Sequence, residues 1–258
     1  MKKQKKSQNP LKRHAQKLTN FVKRNRNQSI AAIVFVFAAS SFMIAPLLTN
    51  VSAAPTSNGY PAATDTVATP YGAIGEWMIK SNGGVADYGG QKYQNKTLLE
   101  AINVIIVDPT SKSVTESKKK IDKAMTAAGF PVKFGHSGGF KGLISGAQYN
   151  QLPSTLFTAY SDNSFLTKNN HGRLFGPAAV NTGGYVYSGG FSTEKLGIYN
   201  WIPAHLYVSS NAARNALAAG LVAKGQNQLP SIDMTNAYNT AVTTVGDHDG
   251  KAAVVVLK

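Results

Sequence analysis

The sequence predicts an α+β domain, a mostly antiparallel sheet with two principal helices packed on one face, preceded by an N-terminal signal or anchor helix. Three observations lead there. Short β-rich runs outnumber helical segments along the last two thirds of the chain. Only two segments combine apolar residues at helical spacing with caps at both ends. A charge-free apolar run follows a dense cluster of lysines and arginines near the N-terminus.

That cluster comes first in the chain. Of 27 basic residues, ten lie in residues 1–29, a stretch without an acid, and the remaining 17 face 12 acidic ones. Most of the net charge of +15 is therefore a tail ahead of an apolar run, the pattern read by the positive-inside bias of membrane insertion. A nucleic-acid partner is not expected. Ile30–Leu48 carries no charge and is long enough to cross a hydrocarbon core of about 30 Å. Val51-Ser52-Ala53-Ala54 fits a signal-peptidase site after Ala53, so residues 30–53 read as a cleaved signal or a retained anchor. The domain is expected outside the membrane, secreted or at the cell surface, with the membrane itself as one partner. No cysteine is present, so the exported part has to be held by its core without disulfides.

Residues 54–71, rich in Ala, Pro and Thr, read as a flexible spacer, and residues 72–258 as a single globular domain. Ile102–Val107 is a β-branched run closed by Asp108-Pro109, expected as a buried strand. The first helix starts at a capping box of Ser113 and Glu116, buries Ile121, Ala124, Met125 and Ala128, and stops at Gly129 before Pro131. Its outer face carries Lys118, Lys119, Lys120 and Lys123, a solvated surface. Short strands are expected at Val132–Phe134, Thr155–Tyr160, Gly172–Phe175, Tyr185–Tyr187 and His205–Val208. The second helix begins at Ser209 or Ser210 and runs to Lys224, with Ala213, Ala216, Leu217, Gly220 and Leu221 inward. Two last strands, Ala241–Val245 and Ala252–Leu257, are expected to flank a hairpin tip at Gly246–Gly250.

Three constellations carry candidate chemistry. Gly135-His136-Ser137-Gly138-Gly139 matches the G-x-S-x-G nucleophile elbow, with Asp233 and His248 later in triad order, but only one clear strand precedes it and no strong helix follows. Asp247-His248-Asp249 lacks the alternating donors of a calcium loop and reads as turn chemistry; no metal-ligand spacing and no cofactor motif is evident. The third rests on arginine. Beyond the tail the chain uses only Arg173 and Arg214 against 15 lysines, and arginine supplies a bidentate fork that lysine lacks. Strand alternation puts His171 and Arg173 on one face, while His205 opens the strand leading into the helix of Arg214. The expectation is that His171, Arg173, His205 and Arg214 meet at a site for an anionic ligand, a small molecule or an envelope component.

The same segments resemble a known family. INVIIVDP, SVTESKKKIDKAMTAAGF, PSTLFTAYSD, HGRLFG, PAHLYVSS and NAARNALAAG, from about Ile102 to Leu257, are similar to the LssY-type C-terminal domain. Where the family pattern has acidic residues beside the helix arginine, this chain has Asn211 and Asn215, and Phe175 stands in place of a tryptophan. The resemblance implies a place at the cell envelope more than a reaction. The expected function is thus a ligand- or partner-binding exported domain, with a hydrolase or phosphate-handling enzyme at the cell surface as the alternative.

Overall fold

A computed structural model describes residues 59–258. The signal or anchor helix, the basic tail and the proposed cleavage position lie outside the described residues. In chain order the strands are β1 (Thr66–Thr69), β2 (Gly72–Gly75), β3 (Asp87–Tyr93), β4 (Lys96–Leu99) and β5 (Val104–Asp108). Helix α1 (Val114–Ala127) follows, then β6 (Val132–Phe134), β7 (Lys141–Ile144), β8 (Ala147–Leu152) and β9 (Thr158–Ser161). Three long strands come next, β10 (Asn169–Ala179), β11 (Tyr185–Tyr199) and β12 (Ile202–Ser209). Helix α2 (Ser210–Ala223), β13 (Asn227–Asp233), β14 (Thr243–Thr244) and β15 (Lys251–Val256) complete the chain. Among the described residues the fold is α+β, strand-rich with two helices.

Both sheets are mixed, which corrects the expectation of a mostly antiparallel one. In the large sheet β15 runs parallel to β5; in the small one β14 runs parallel to β4. The reason is the route of the chain. The segments at residues 241–245 and 252–257 do not form a hairpin: β14 leaves to join β4, and β15 enters the large sheet between β5 and β13. Paired structure also starts upstream of Gly72. Thr-Val-Ala-Thr of β1 pairs with β2, and Gly59 O accepts from Thr243 Oγ1 at 2.6 Å, so part of the expected spacer is built into the fold.

The helices form where their caps predict. Ser113 Oγ accepts from Glu116 N at 3.2 Å and Glu116 Oε2 returns a bond to Lys112 N at 2.8 Å; Ser209 Oγ accepts from Ala212 N at 2.9 Å. Ile121 and Met125 of α1 and Ala213, Leu217 and Leu221 of α2 share one core with Leu174, Tyr187 and Phe191 of the long strands. Both helices therefore cover the same sheet face. On the other face Phe175, Ala178 and Val186 pack with Ile74, Met78 and Ile102 in a second core. Pro177, which has no N–H, falls where the β10–β11 register shifts.

Candidate metal centre

Strand register assembles the site. β10 and β11 pair Asn169 with Glu194, His171 with Ser192 and Arg173 with Gly190; β11 and β12 pair Glu194 with Tyr207 and Leu196 with His205. Residues two apart share a face. Asn169, His171, Arg173, Ser192, Glu194, His205 and Tyr207 thus lie together on the face away from the helices, because Leu174, Tyr187 and Phe191 point to the helices. The fourth contributor comes from a loop. β9 pairs with both β6 and β10, which sets the loop after β6, carrying His136, beside His171.

Three imidazoles meet there. The His136 ring centroid is 4.2 Å from that of His171 and 5.8 Å from that of His205, and His171 and His205 are 6.0 Å apart. One nitrogen of each ring can be chosen so that all three lie within 4.8 Å of one another. His136 and His171 are each 4% exposed. Both nitrogens of His136 and Nε2 of His205 are buried without a hydrogen-bond partner. The His171 tautomer follows from its neighbours. Asn169 Nδ2 donates to Thr167 O at 2.9 Å and to Ser164 O at 3.3 Å, so its Oδ1 faces His171 Nδ1 at 2.8 Å and must accept. Nδ1 carries the proton and Nε2 keeps its lone pair. The Glu194 carboxylate lies between two rings, 3.3 Å from His205 Nδ1 and 3.5 Å from His171 Nε2, and accepts from Ser192 Oγ at 2.9 Å. A carbonyl or carboxylate on the far nitrogen is how proteins orient metal-ligating histidines.

The electrostatics agree. Burial, helped by Arg173 and the neighbouring imidazoles, pulls His136 down to about 3; burial and then His136 and Arg173 hold His171 well below its ordinary range. Both are neutral at pH 7, the form that binds a cation. Imidazole suits zinc, copper, nickel or iron rather than magnesium or calcium. Metal–nitrogen bonds of about 2.0–2.1 Å would place tetrahedral ligands roughly 3.4 Å apart, within the 4.8 Å that bounds these nitrogens. Phe165 stacks on His205 with ring centroids 6.0 Å apart.

Arg173 has a different task from the one the sequence led us to expect. It is buried, and its Nε and Nη2 both donate to Ser137 O, at 3.2 and 2.5 Å, while Nη2 also reaches Ser137 Oγ at 3.1 Å. The guanidinium fork thereby ties the His136 loop to the strand of His171. Glu194 is the carboxylate beside its charge, while burial pushes Glu100 up to about 8, so that Glu100 is mostly neutral at pH 7. Arg173→Lys keeps the charge but cannot make the two-point bond to one carbonyl. We expect it to weaken cation binding at least about 10-fold while the fold survives, read by titration and circular dichroism.

Arg214 does not join the site. It sits on α2, on the opposite side of the sheet, where Nη1 and Nη2 grip Asp249 at 2.5 and 3.1 Å and Nη1 donates to Lys251 O at 2.8 Å. Of the four residues expected to meet, His171, Arg173 and His205 share one face, with His136 beside them, and Arg214 does not join them. Ser137 is no nucleophile elbow: its loop leads into β7, not a helix. In Asp247-His248-Asp249, Asp247 accepts from Ser210 N at 2.7 Å at the start of α2, and His248 Nε2 donates to Asn236 Oδ1 at 2.7 Å. These are structural roles.

His248 gives a pH dependence apart from the cluster. Burial is the main cause that brings it down to about 4 from 6.5, so the unfolded chain takes up the proton first. Its contribution is complete above pH 6.5 and is lost as pH falls towards 4, at most about 3 kcal/mol. His248→Gln should flatten that part of the stability–pH curve, measured by urea denaturation at pH 7 and at pH 4.5 to about 5.

His136 is the residue that sequence reading left out. Its signal was present: beyond the tail the chain has four histidines, and three converge. Compared with protein-family models, with curated proteins and with solved structures, the chain matches none. Among the described residues no helix is long and apolar enough to cross a membrane.

Proposed function

We propose that this chain is an exported envelope domain that binds one divalent transition cation through His136, His171 and His205. The observation that carries this reading is the set of buried, converging imidazoles with unpartnered nitrogens, backed by Asn169 and Glu194. Leaving buried polar atoms unpaired costs free energy, about 1–3 kcal/mol each, and a cation relieves it. The anionic ligand expected from the sequence then occupies the cation's remaining position, near Arg173. Export rests on the basic tail, the apolar run and the small-residue exit.

The test is titration of chelator-treated protein with Zn²⁺ and Co²⁺. The expected result is one equivalent bound at micromolar or tighter affinity, on the order of −8 kcal/mol, with a raised melting temperature and a Co²⁺ spectrum of nitrogen ligation. No saturable binding, or equal binding of Mg²⁺, overturns the reading.

A second reading, metal-assisted hydrolysis, draws on one observation. Glu100 has a buried carboxyl near Arg173 and Glu194, raised by that burial to about 8, in the range where a general acid or base works at neutral pH. A screen of the Zn²⁺-loaded protein against phosphoesters and acyl esters separates it from binding alone, with Glu100→Gln as the control.

A further inference from the structure

The strands that supply Glu194 and His205 continue outward as a ribbon, pairing Leu196 with His205, Gly197 with Ala204, Ile198 with Pro203 and Tyr199 with Ile202. Asn200 and Trp201 close it with φ of 49° and 67°, the two positive values of a type I′ turn. Asparagine takes that conformation readily; a bulky tryptophan does so rarely. Trp201 is nonetheless held there 97% exposed, with Ile198 at 70%, Leu196 at 43% and Ile202 at 36%. From Lys195 to His205 the segment contains one lysine and no acid.

We propose that this hairpin tip inserts into the interfacial region of a lipid bilayer. The apolar area argues for lipid over a protein partner. An aromatic side chain contributes at most about 250 Å², so the whole tip offers on the order of 500 Å², short of the roughly 800 Å² per partner in a stable interface. A narrow wedge tipped by tryptophan suits the headgroup boundary, where that ring is enriched. Charge agrees as well, since an acid-free tip with Lys195 on its flank meets no repulsion from anionic headgroups. Where residues 30–48 are retained as an anchor, ten residues separate Leu48, the end of the apolar run, from Gly59, the first described residue, and ten residues span at most about 35 Å.

The experiment uses the full chain in vesicles of phosphatidylcholine and phosphatidylglycerol, one batch with brominated acyl chains. The chain has two tryptophans; Trp77 is 1% exposed, and residues 30–48 contain none. The expected result is a blue-shifted Trp201 emission that brominated lipid quenches, leaving the Trp77 share. Trp201→Phe should abolish both changes, and Ile198→Ser should diminish them. An emission that stays water-like and open to aqueous acrylamide overturns the proposal. A blue shift that bromine does not quench also overturns it, since the tip is then covered by protein. Cation binding at the three histidines is read separately by Co²⁺ absorption and stands or falls by itself.

Discussion

Replacing any one of His136, His171 or His205 by alanine is expected to cut Zn²⁺ affinity by at least about 100-fold, equivalent to about 2.7 kcal/mol. Loss of an outer-shell partner alone typically costs 10–100-fold, and loss of a ligand should exceed that. The variants should differ in a second readout. Metal-free His136 buries two nitrogens with no partner at all, so His136→Leu removes that penalty while filling similar space. The metal-free His136→Leu protein should be as stable as the parent or more so, by about 1 kcal/mol, yet fail to bind cation. His171→Ala instead leaves Asn169 Oδ1 with only a long 3.5 Å bond from Ser161 Oγ and opens a void beside it, so it should lose both binding and stability. Isothermal titration and thermal melts with and without chelator decide both points. If all three variants bind Zn²⁺ like the parent, the cluster is a packing feature.

Gly172→Ala is the second large effect. Gly172 stands on β10 between His171 and Arg173 and opposite Phe191 on β11. A Cβ there would lie closer than 3.0 Å to the Phe191 ring and to the carbonyl oxygen of Gly190. A flexible side chain could give way, but Gly190 O belongs to the neighbouring strand, and Phe191 is fixed by its place in the helix-side core. Asn103 holds the Phe191 backbone as well, donating to Phe191 O at 2.8 Å and accepting from Phe191 N at 3.0 Å. The strand must shift, at a cost of about 3 kcal/mol, near the upper end for overpacking. Because His171 and Arg173 are its immediate neighbours, cation affinity should fall with stability. Urea denaturation and Zn²⁺ titration test the pair of effects; unchanged stability would mean that β10 and β11 separate more easily than their register implies.

Some of this was legible in the residues alone. Both helices and their caps are local chemistry: Ser113 with Glu116, and Ser209, need only neighbours three or four positions away. The Ile102–Val107 run announced a buried strand, found as β5. Alternation correctly put His171 and Arg173 on one face. The three long strands were read as short ones because glycine and polar residues interrupt their apolar pattern. Gly172, Gly189 and Gly190 save space against Phe191, Leu174 and Met78, and Ser192 and Glu194 line the site, so the interruptions belong to packing and chemistry.

What the sequence by itself determined is the local part: the basic tail and apolar run as written, the two capped helices, the absence of disulfides and the strand-rich class. What only the tertiary structure decided is partnership at a distance. His136 reaches His171 across 35 positions because β9 bridges β6 and β10. Arg214 leaves them because its guanidinium finds Asp249, 35 positions away, on the helix side of the sheet. Hydrogen-bond and packing geometry are short-ranged in space and indifferent to separation along the chain. Spacing alone could therefore mark these histidines and arginines as candidates, but only the sheet register chose which of them share a centre.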